Sequence, residues 1–528
     1  MGWEKAASKS ELDQKQRVIF KKGPKQIAVF KVDNQIFAVD NRCPHQGYPL
    51  KEGVVDSENF LTCNWHNWKF DLKTGKCVTG GDNVRAYKTK QDEGSVWVEL
   101  SEPSKEELTG TILASLKVAV DKNKMGRLIR DLAKLHFSGI DPLLALEKTL
   151  QWTFDKFNDG ISHAHAAAAD WLKLYADNKG NVENQLICLA EAIDFLSSSV
   201  YRAPSHSFSE KPADFSHQAF IDAIEQGDEH QVLALVLGAL EAGWVFKDLE
   251  KSFTEAALMH YNDFGHSLIF IYKASVLIQT FGNTIEKQVV LGLARNLCRT
   301  TREDLLPEFK NYHTFLAECH FAPSPISSEL NFEEVFQKPV NDSLAWVVSK
   351  AKMCRPEDIY GALLASNAKN MLYFDTTYQE AYDKPVADNV DWLDFSHAIT
   401  FANAVRHQCQ KFPEYWKQGL LQLACFNGRN VPYCDLRCDV SKWTVADSRT
   451  FLSQTTDKLL DHGIDVPLIV AHRLKTFMAV KEELKHTPAQ CQKYLLAAAN
   501  RFLNSPIKQK HIRRKIRQNL TLVGRDYE

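Results

Sequence analysis

The sequence predicts a multidomain protein, a small antiparallel all-β domain followed by a large all-α multihelical domain. Three observations predict it. In the first hundred residues, short β-branched and aromatic runs alternate with turn residues. At Ser101-Glu102-Pro103-Ser104 the composition changes. Beyond that point apolar residues recur at spacings of three and four, the period of a helix. The expected boundaries are 1–102 for the β domain, 103–110 for a linker and 111–528 for the helical domain. Two breaks, Arg202–Asp214 and Pro323–Asp342, interrupt the helical pattern, and the second would divide it into subdomains 111–322 and 343–528.

In the β domain, Gln26–Phe30 and Gln35–Val39 are strand-like runs joined through Asp33-Asn34, a hairpin signal. Gly47, Gly53 and Gly75 mark expected turns, where a positive φ favours glycine. Between the turns lie Cys43-Pro44-His45 and Cys63-Asn64-Trp65-His66, with seventeen residues separating His45 from Cys63. This C-x-H…C-x-x-H spacing suits a [2Fe-2S] site in which two thiolates hold one iron and two imidazoles the other. Soft thiolates suit ferric iron. Neutral imidazoles remove negative charge from the second iron and raise its potential.

Residues 1–100 resemble a Rieske ferredoxin domain. The resemblance is carried by Ile36–Gly47 around the first ligand pair, Leu50, Glu52-Gly53, Cys63–Asp71 around the second, Thr74-Gly75 and Val96-Trp97-Val98. It implies Cys43, His45, Cys63 and His66 as cluster ligands. High-potential members carry an extra Cys in each ligand loop, paired as a disulfide, and a Ser that donates to a cluster sulfur. Tyr48, Trp65 and Trp68 occupy those positions here. Fewer hydrogen bonds to sulfur stabilise the reduced cluster less, so a potential of roughly −150 mV is expected rather than +300 mV.

In the helical region, Asp141-Pro142 reads as a cap with Pro at the first helical position. Leu143, Leu146, Leu150, Phe154 and Phe157 then line one face, and Asp159-Gly160 ends the element. Ser162 caps the next helix, which runs through Ala166–Ala169. Helical periodicity continues in Gln185–Ser197, Gln231–Leu240, Val289–Leu297 and Val466–Val480. The basic run Lys508–Arg517 reads as a solvated helix face.

A short echo recurs in this region. Asp263-Phe264-Gly265-His266 resembles Asp394-Phe395-Ser396-His397 and Asp214-Phe215-Ser216-His217, and His163 follows Ser162 in a similar setting. Each places a histidine in the first turn of a helix, whose positive end opposes imidazolium formation. A neutral imidazole can ligate a metal or polarise a carbonyl. His163 and His165 are about 200° apart around a helix, and His397 and His407 about 15 Å apart along one, so neither pair shares an ion. A second metal site must therefore draw one histidine from each of several helices. The expected set is His163, His260, His266 and His397, with Asp159 or Asp263 as a carboxylate, and with His163, His266 and His397 as the catalytic candidates.

The D-x2-H-x4-H iron pattern of Rieske oxygenases is not met. Ile271 and Ala402 stand where the second histidine belongs after Asp263…His266 and Asp394…His397. Residues 130–500 are similar to the questin oxidase-like helical family. That similarity implies oxygenation of an aromatic polyketide-like substrate.

The remaining features bound the function. Basic and acidic residues number 64 and 66, a net charge of −2, so nothing draws the chain to nucleic acid. No apolar run reaches the ~18 residues a membrane span needs. No signal segment is visible, and twelve cysteines without framework spacing read as reduced thiols, so a cytoplasmic location is expected. No G-x-G-x-x-G or P-loop fingerprint is present, so electrons must come from a separate reductase or ferredoxin. The expected function is a Rieske-type oxidoreductase whose cluster passes single electrons to a helical domain acting, with a second iron, as an oxygenase or oxidase on a hydrophobic small molecule. The alternative is a redox-sensing interaction protein whose helices bind a partner without catalysis.

Overall fold

A computed structural model describes residues 2–208, 210–327 and 329–525. Ser209 and Ser328, inside the two interhelical breaks, lie outside the described residues. Two compact units form, one of residues up to Val120 with Lys124–Pro142, the other of Asp121–Asn123 with everything from Leu143 on.

The first unit holds three antiparallel sheets. One has the order β1 (Trp3–Ser8), β11 (Ser95–Glu99), β10 (Thr89–Asp92). The second has the order β2 (Arg17–Lys22), β3 (Lys25–Val32), β4 (Gln35–Asp40), β9 (Ala86–Tyr87). The third runs β5 (Val54–Val55), β6 (Phe60–Thr62), β7 (Lys69–Asp71), β8 (Cys77–Thr79). The β3–β4 hairpin pairs Val32 with Gln35 and turns at Asp33, φ 52°. Both faces of β3 are buried, and the period of two sorts its side chains. Ala28 and Phe30 enter a core shared with Cys43, Cys63, Leu61 and Phe70. Ile27 and Val29 enter a second core with Leu12, Val96 and Val98.

The linker expected at 103–110 is instead the start of a helix, Lys105–Asp121. Ser104 explains this. Its hydroxyl accepts from the Glu107 amide (3.2 Å), and the Glu107 carboxylate accepts from the Ser104 amide (2.9 Å), a capping box. The following helix, Met125–Phe137, belongs to the same unit. Its Arg127 and Arg130 both pair with Asp82, which is 1% exposed. Two guanidiniums compensate one buried carboxylate, so these helices complete the β domain rather than begin the helical one.

In the second unit the expected helices are present as Leu143–Thr153, His163–Asp177, Val182–Ser199, Glu229–Glu241, Asn283–Cys298 and Pro467–Glu483. Four helices form a closed ring, each packed on two others: His163–Asp177, His266–Phe281, Trp392–Lys411 and Pro467–Glu483. Two come from the expected subdomain 111–322 and two from 343–528, so those halves share one core and are not separate bodies. Among the described residues, no helix is long and apolar enough to cross a membrane.

Candidate metal centres

The two ligand loops of the β domain have the same backbone design. The Cys43 amide donates to the Tyr48 carbonyl (2.9 Å) and the Gly47 amide to the Cys43 carbonyl (2.8 Å). In the second loop the Cys63 amide donates to Trp68 (2.8 Å) and Asn67 to Cys63 (3.0 Å). Each loop turns on a residue of positive φ, Gly47 at 78° and Asn67 at 58°. Gly75 also turns at positive φ (73°), whereas Gly53 does not, at −67°. Gly53 serves close approach, since a Cβ there would meet the Thr62 carbonyl oxygen at 2.6 Å.

The donor set fits a [2Fe-2S] cluster. Cys43 and Cys63 are both buried in the same core. Burial pushes the Cys43 thiol up to about 11, with the neighbouring Cys63 adding to it, so ionisation requires bound iron. His45 and His66 stand edge to face with centroids 4.5 Å apart. The buried Nδ1 of His45 has no hydrogen-bond partner among the described residues, as expected of an atom meant for iron. His66 is exposed, which leaves the outer side of the site accessible. Trp68 stacks on His45 at 4.7 Å with the rings 12° from parallel. Behind it, a Cβ on Gly80 would meet the Trp68 ring at 2.5 Å, so the indole needs glycine there. All twelve cysteines are free, including Cys77 near this indole.

In the helical unit four histidines meet. His163 is the first residue of its helix and His266 of its own. His397 and His472 are each the sixth residue of theirs. One nitrogen from each lies within 4.8 Å of all the others. His397 donates from Nδ1 to the Leu393 carbonyl (2.6 Å), and His472 from Nδ1 to Leu468 (2.8 Å). Both Nε2 atoms therefore present lone pairs inward. Nε2 of His397 is 2.8 Å from Nε2 of His266 and 3.4 Å from that of His472. The Asp263 carboxylate lies 3.6 Å from Nδ1 of His266. Facing lone pairs at such distances repel unless a cation lies between them. Two nitrogens about 2.1 Å from one ion lie about 3.0–3.4 Å apart, at angles from right to tetrahedral. Backbone carbonyls on the far ring nitrogens are the usual orienting partners of metal-bound imidazoles.

A profile of the Rieske [2Fe-2S] domain matches residues 2–89. The 3-phenylpropionate/cinnamic acid dioxygenase ferredoxin subunit of Photorhabdus laumondii is 33% identical over 78 residues, 14% of this chain and 74% of that protein. The chain belongs to the Rieske [2Fe-2S] family. The 4beta-methylsterol monooxygenase of Methylococcus capsulatus is 32% identical over 90 residues, and the match spans 24% of that enzyme. The ferredoxin of carbazole 1,9a-dioxygenase from Nocardioides aromaticivorans IC177 is 23% identical, with 19% of this chain and 100% of that chain covered and a TM-score of 0.18. These matches cover at most a fifth of this chain, and they do not show a likeness of the helical unit to questin oxidases.

Outside the Rieske domain, the structure rearranges the expected histidine set. His163, His266 and His397 come together, and His472 takes the place assigned to His260. His260 instead contacts Asp304, His313 and Glu225. The cause is the backbone between His260 and His266. Asp263, Phe264 and Gly265 have φ of 44°, 50° and 73°, three successive left-handed residues that separate the two imidazoles. Asp159 is not near the histidines and pairs with Arg299 (3.3 Å). His397 lies in the second turn rather than the first, because Asp391, not Asp394, caps its helix and Asp394 closes a capping box from the third position.

The four ring helices run in the same direction. Their histidines share one layer, and about ten residues further along each of three helices, Lys173, His407 and Glu482 meet, with Tyr272 from the fourth hydrogen-bonded to Lys173 and Glu482. The positive ends of two of these helices thus lie at His163 and His266. Burial, then neighbouring charge from Lys475 and the other imidazoles, holds His163 well below the ordinary histidine range; burial with the same neighbours does so for His397 and His472. Lys475 is fully buried, burial pushes it down to about 8, and its Nζ has no hydrogen-bond partner among the described residues. Beyond it lies a buried pair, Lys273 with Asp170 (2.7 Å).

Proposed function

We propose that the chain is a two-centre oxidoreductase in which the Rieske domain passes single electrons to a metal ion held by His163, His266, His397 and His472. Iron suits this four-imidazole set and would supply the redox chemistry that activates dioxygen. The observation that carries this reading is the convergence of four inward-facing nitrogens, two of them with their ring protons tied to backbone carbonyls. Phe270 packs against His163 and His266, and Phe264 against His397, which keeps water from the imidazoles. Lys475 and the helix N-termini at His163 and His266 add positive charge, which would favour an anionic ligand on a bound ion.

The substrate is a hydrophobic small molecule, and a separate reductase or ferredoxin feeds the cluster. The relatives of the Rieske domain, the ferredoxin subunit of a dioxygenase and a quarter of a monooxygenase, support electron delivery to an oxygenase centre. Iron analysis of anaerobically purified protein tests this reading. Three irons per chain are expected, falling to two in His397→Ala with the cluster retained. Two irons in both proteins would remove the second centre and leave the redox-sensing alternative.

A further inference from the structure

His260, excluded from the four-histidine centre, belongs to another cluster. It follows the helix Phe246–Leu258, Asp304 sits in the short turn Glu303–Leu305, and His313 lies on Tyr312–Glu318. Nε2 of His313 is 2.8 Å from Oδ2 of Asp304. Nδ1 of His260 is 3.1 Å from the same oxygen and 3.4 Å from Nε2 of His313. Three donor atoms of types that bind transition metals therefore form a triangle with edges of 2.8 to 3.4 Å. Ligands about 2.0–2.2 Å from a tetrahedral ion are spaced by about 3.3–3.6 Å.

The surroundings are arranged as metal sites require. Oε1 of Glu225 lies 2.7 Å from Nε2 of His260, the nitrogen that faces away from the triangle. A carboxylate accepting that proton leaves the Nδ1 lone pair directed at Asp304 and His313. Asp304 is fully buried and oriented by Arg302, which donates to both its oxygens at 2.8 Å. His313 is half exposed, so an ion can enter from solvent and a fourth position stays open.

We propose that His260, Asp304 and His313 bind a divalent transition-metal ion of the zinc class, with Glu225 as the supporting carboxylate. Two imidazoles and one carboxylate select zinc, cobalt or iron over magnesium and calcium. The ion would also tie two segments together. The Asp263 amide donates to the Thr301 carbonyl and the Asp304 amide to Tyr261, so His260 and Asp304 flank the left-handed turn that delivers His266. The site does not depend on the four-histidine centre being occupied or catalytic.

Zinc(II) alone, titrated calorimetrically into chelator-treated full-length protein, tests this site. In His397→Ala/His472→Ala, which disables the other centre, one zinc per chain is expected. Adding His313→Ala should abolish it, and adding Glu225→Gln should weaken it by about 10- to 100-fold. No zinc bound in the double variant, or binding unchanged by His313→Ala, would overturn the proposal. Should the double variant not fold, wild type and His313→Ala are compared directly. A stoichiometry lower by one in His313→Ala supports the site, and equal stoichiometry overturns it.

Discussion

His397 and His472 occupy the same place in two neighbouring helices that run in the same direction. Each is the sixth residue, each donates Nδ1–H to the carbonyl four residues earlier, and their Nε2 atoms lie 3.4 Å apart. A shared proton would need one ring to become imidazolium, and burial holds both well below the ordinary range. Metal coordination meets the same geometry without that cost.

The metal-free protein should lose stability in acid. His163, His397 and His472 are depressed in the fold and ordinary, near 6.5, in the unfolded chain, and His165 is depressed to about 4 by burial. Above pH 6.5 both states are neutral. Below it the unfolded chain takes up protons first, and stability falls by about 1.4 kcal/mol per pH unit for each histidine. Thermal midpoints of metal-free protein between pH 7.5 and 5 should drop steeply, and a bound ion should shift the drop to lower pH. A flat profile would contradict the burial of these rings.

Gly265→Ala should weaken the second centre without touching the first. Gly265 has φ 73°, and a Cβ would meet the Phe401 ring at 2.3 Å. Left-handed strain and overpacking together cost about 2–4 kcal/mol. The adjacent His266 should move, lowering metal retention in the helical unit while cluster absorbance persists. Metal analysis beside the visible spectrum checks this.

Gly80→Ala should disturb the Rieske centre instead. The new methyl group would push Trp68 from His45, changing the environment of one outer ligand. A shift in the reduced EPR spectrum or in midpoint potential is expected, with the wild-type potential about −150 mV. An unchanged spectrum would show that the Trp68–His45 stack does not bear on the cluster.

Asp82→Asn should loosen the first unit. It leaves Arg127 and Arg130 facing a neutral amide at a buried position, a loss of about 3–5 kcal/mol. Proteolysis near Lys105–Phe137 should quicken, with cleavage followed by mass spectrometry.

The cluster site was legible because its ligands are close in sequence and their chemistry needs fixed spacing. Cys43-Pro44-His45 and Cys63–His66 carry that spacing within two short loops. The four-histidine cluster has no such signature, since its residues come from four helices spread over 310 positions, His163 to His472. The Asp-Phe-x-His echo pointed at His266 and His397, but His472, in Leu468–Lys475, shares no part of it. Its only signal is the fourth residue back, where a leucine carbonyl stands in both helices. His260 misled because nearness in sequence to His266 was broken by three left-handed residues. Asp82 was silent because its guanidinium partners lie more than forty residues on, in helices read as the next domain.

Electron transfer from the cluster to the four-histidine centre is most directly measured by single-turnover reoxidation. Dithionite-reduced protein freed of excess reductant is mixed with dioxygen, and the cluster absorbance is followed in wild type and in His472→Ala. The account predicts reoxidation at least about tenfold slower in His472→Ala, since an interaction worth 1.4 kcal/mol in the barrier already changes a rate tenfold. Equal rates, with intact clusters in both proteins, would contradict it.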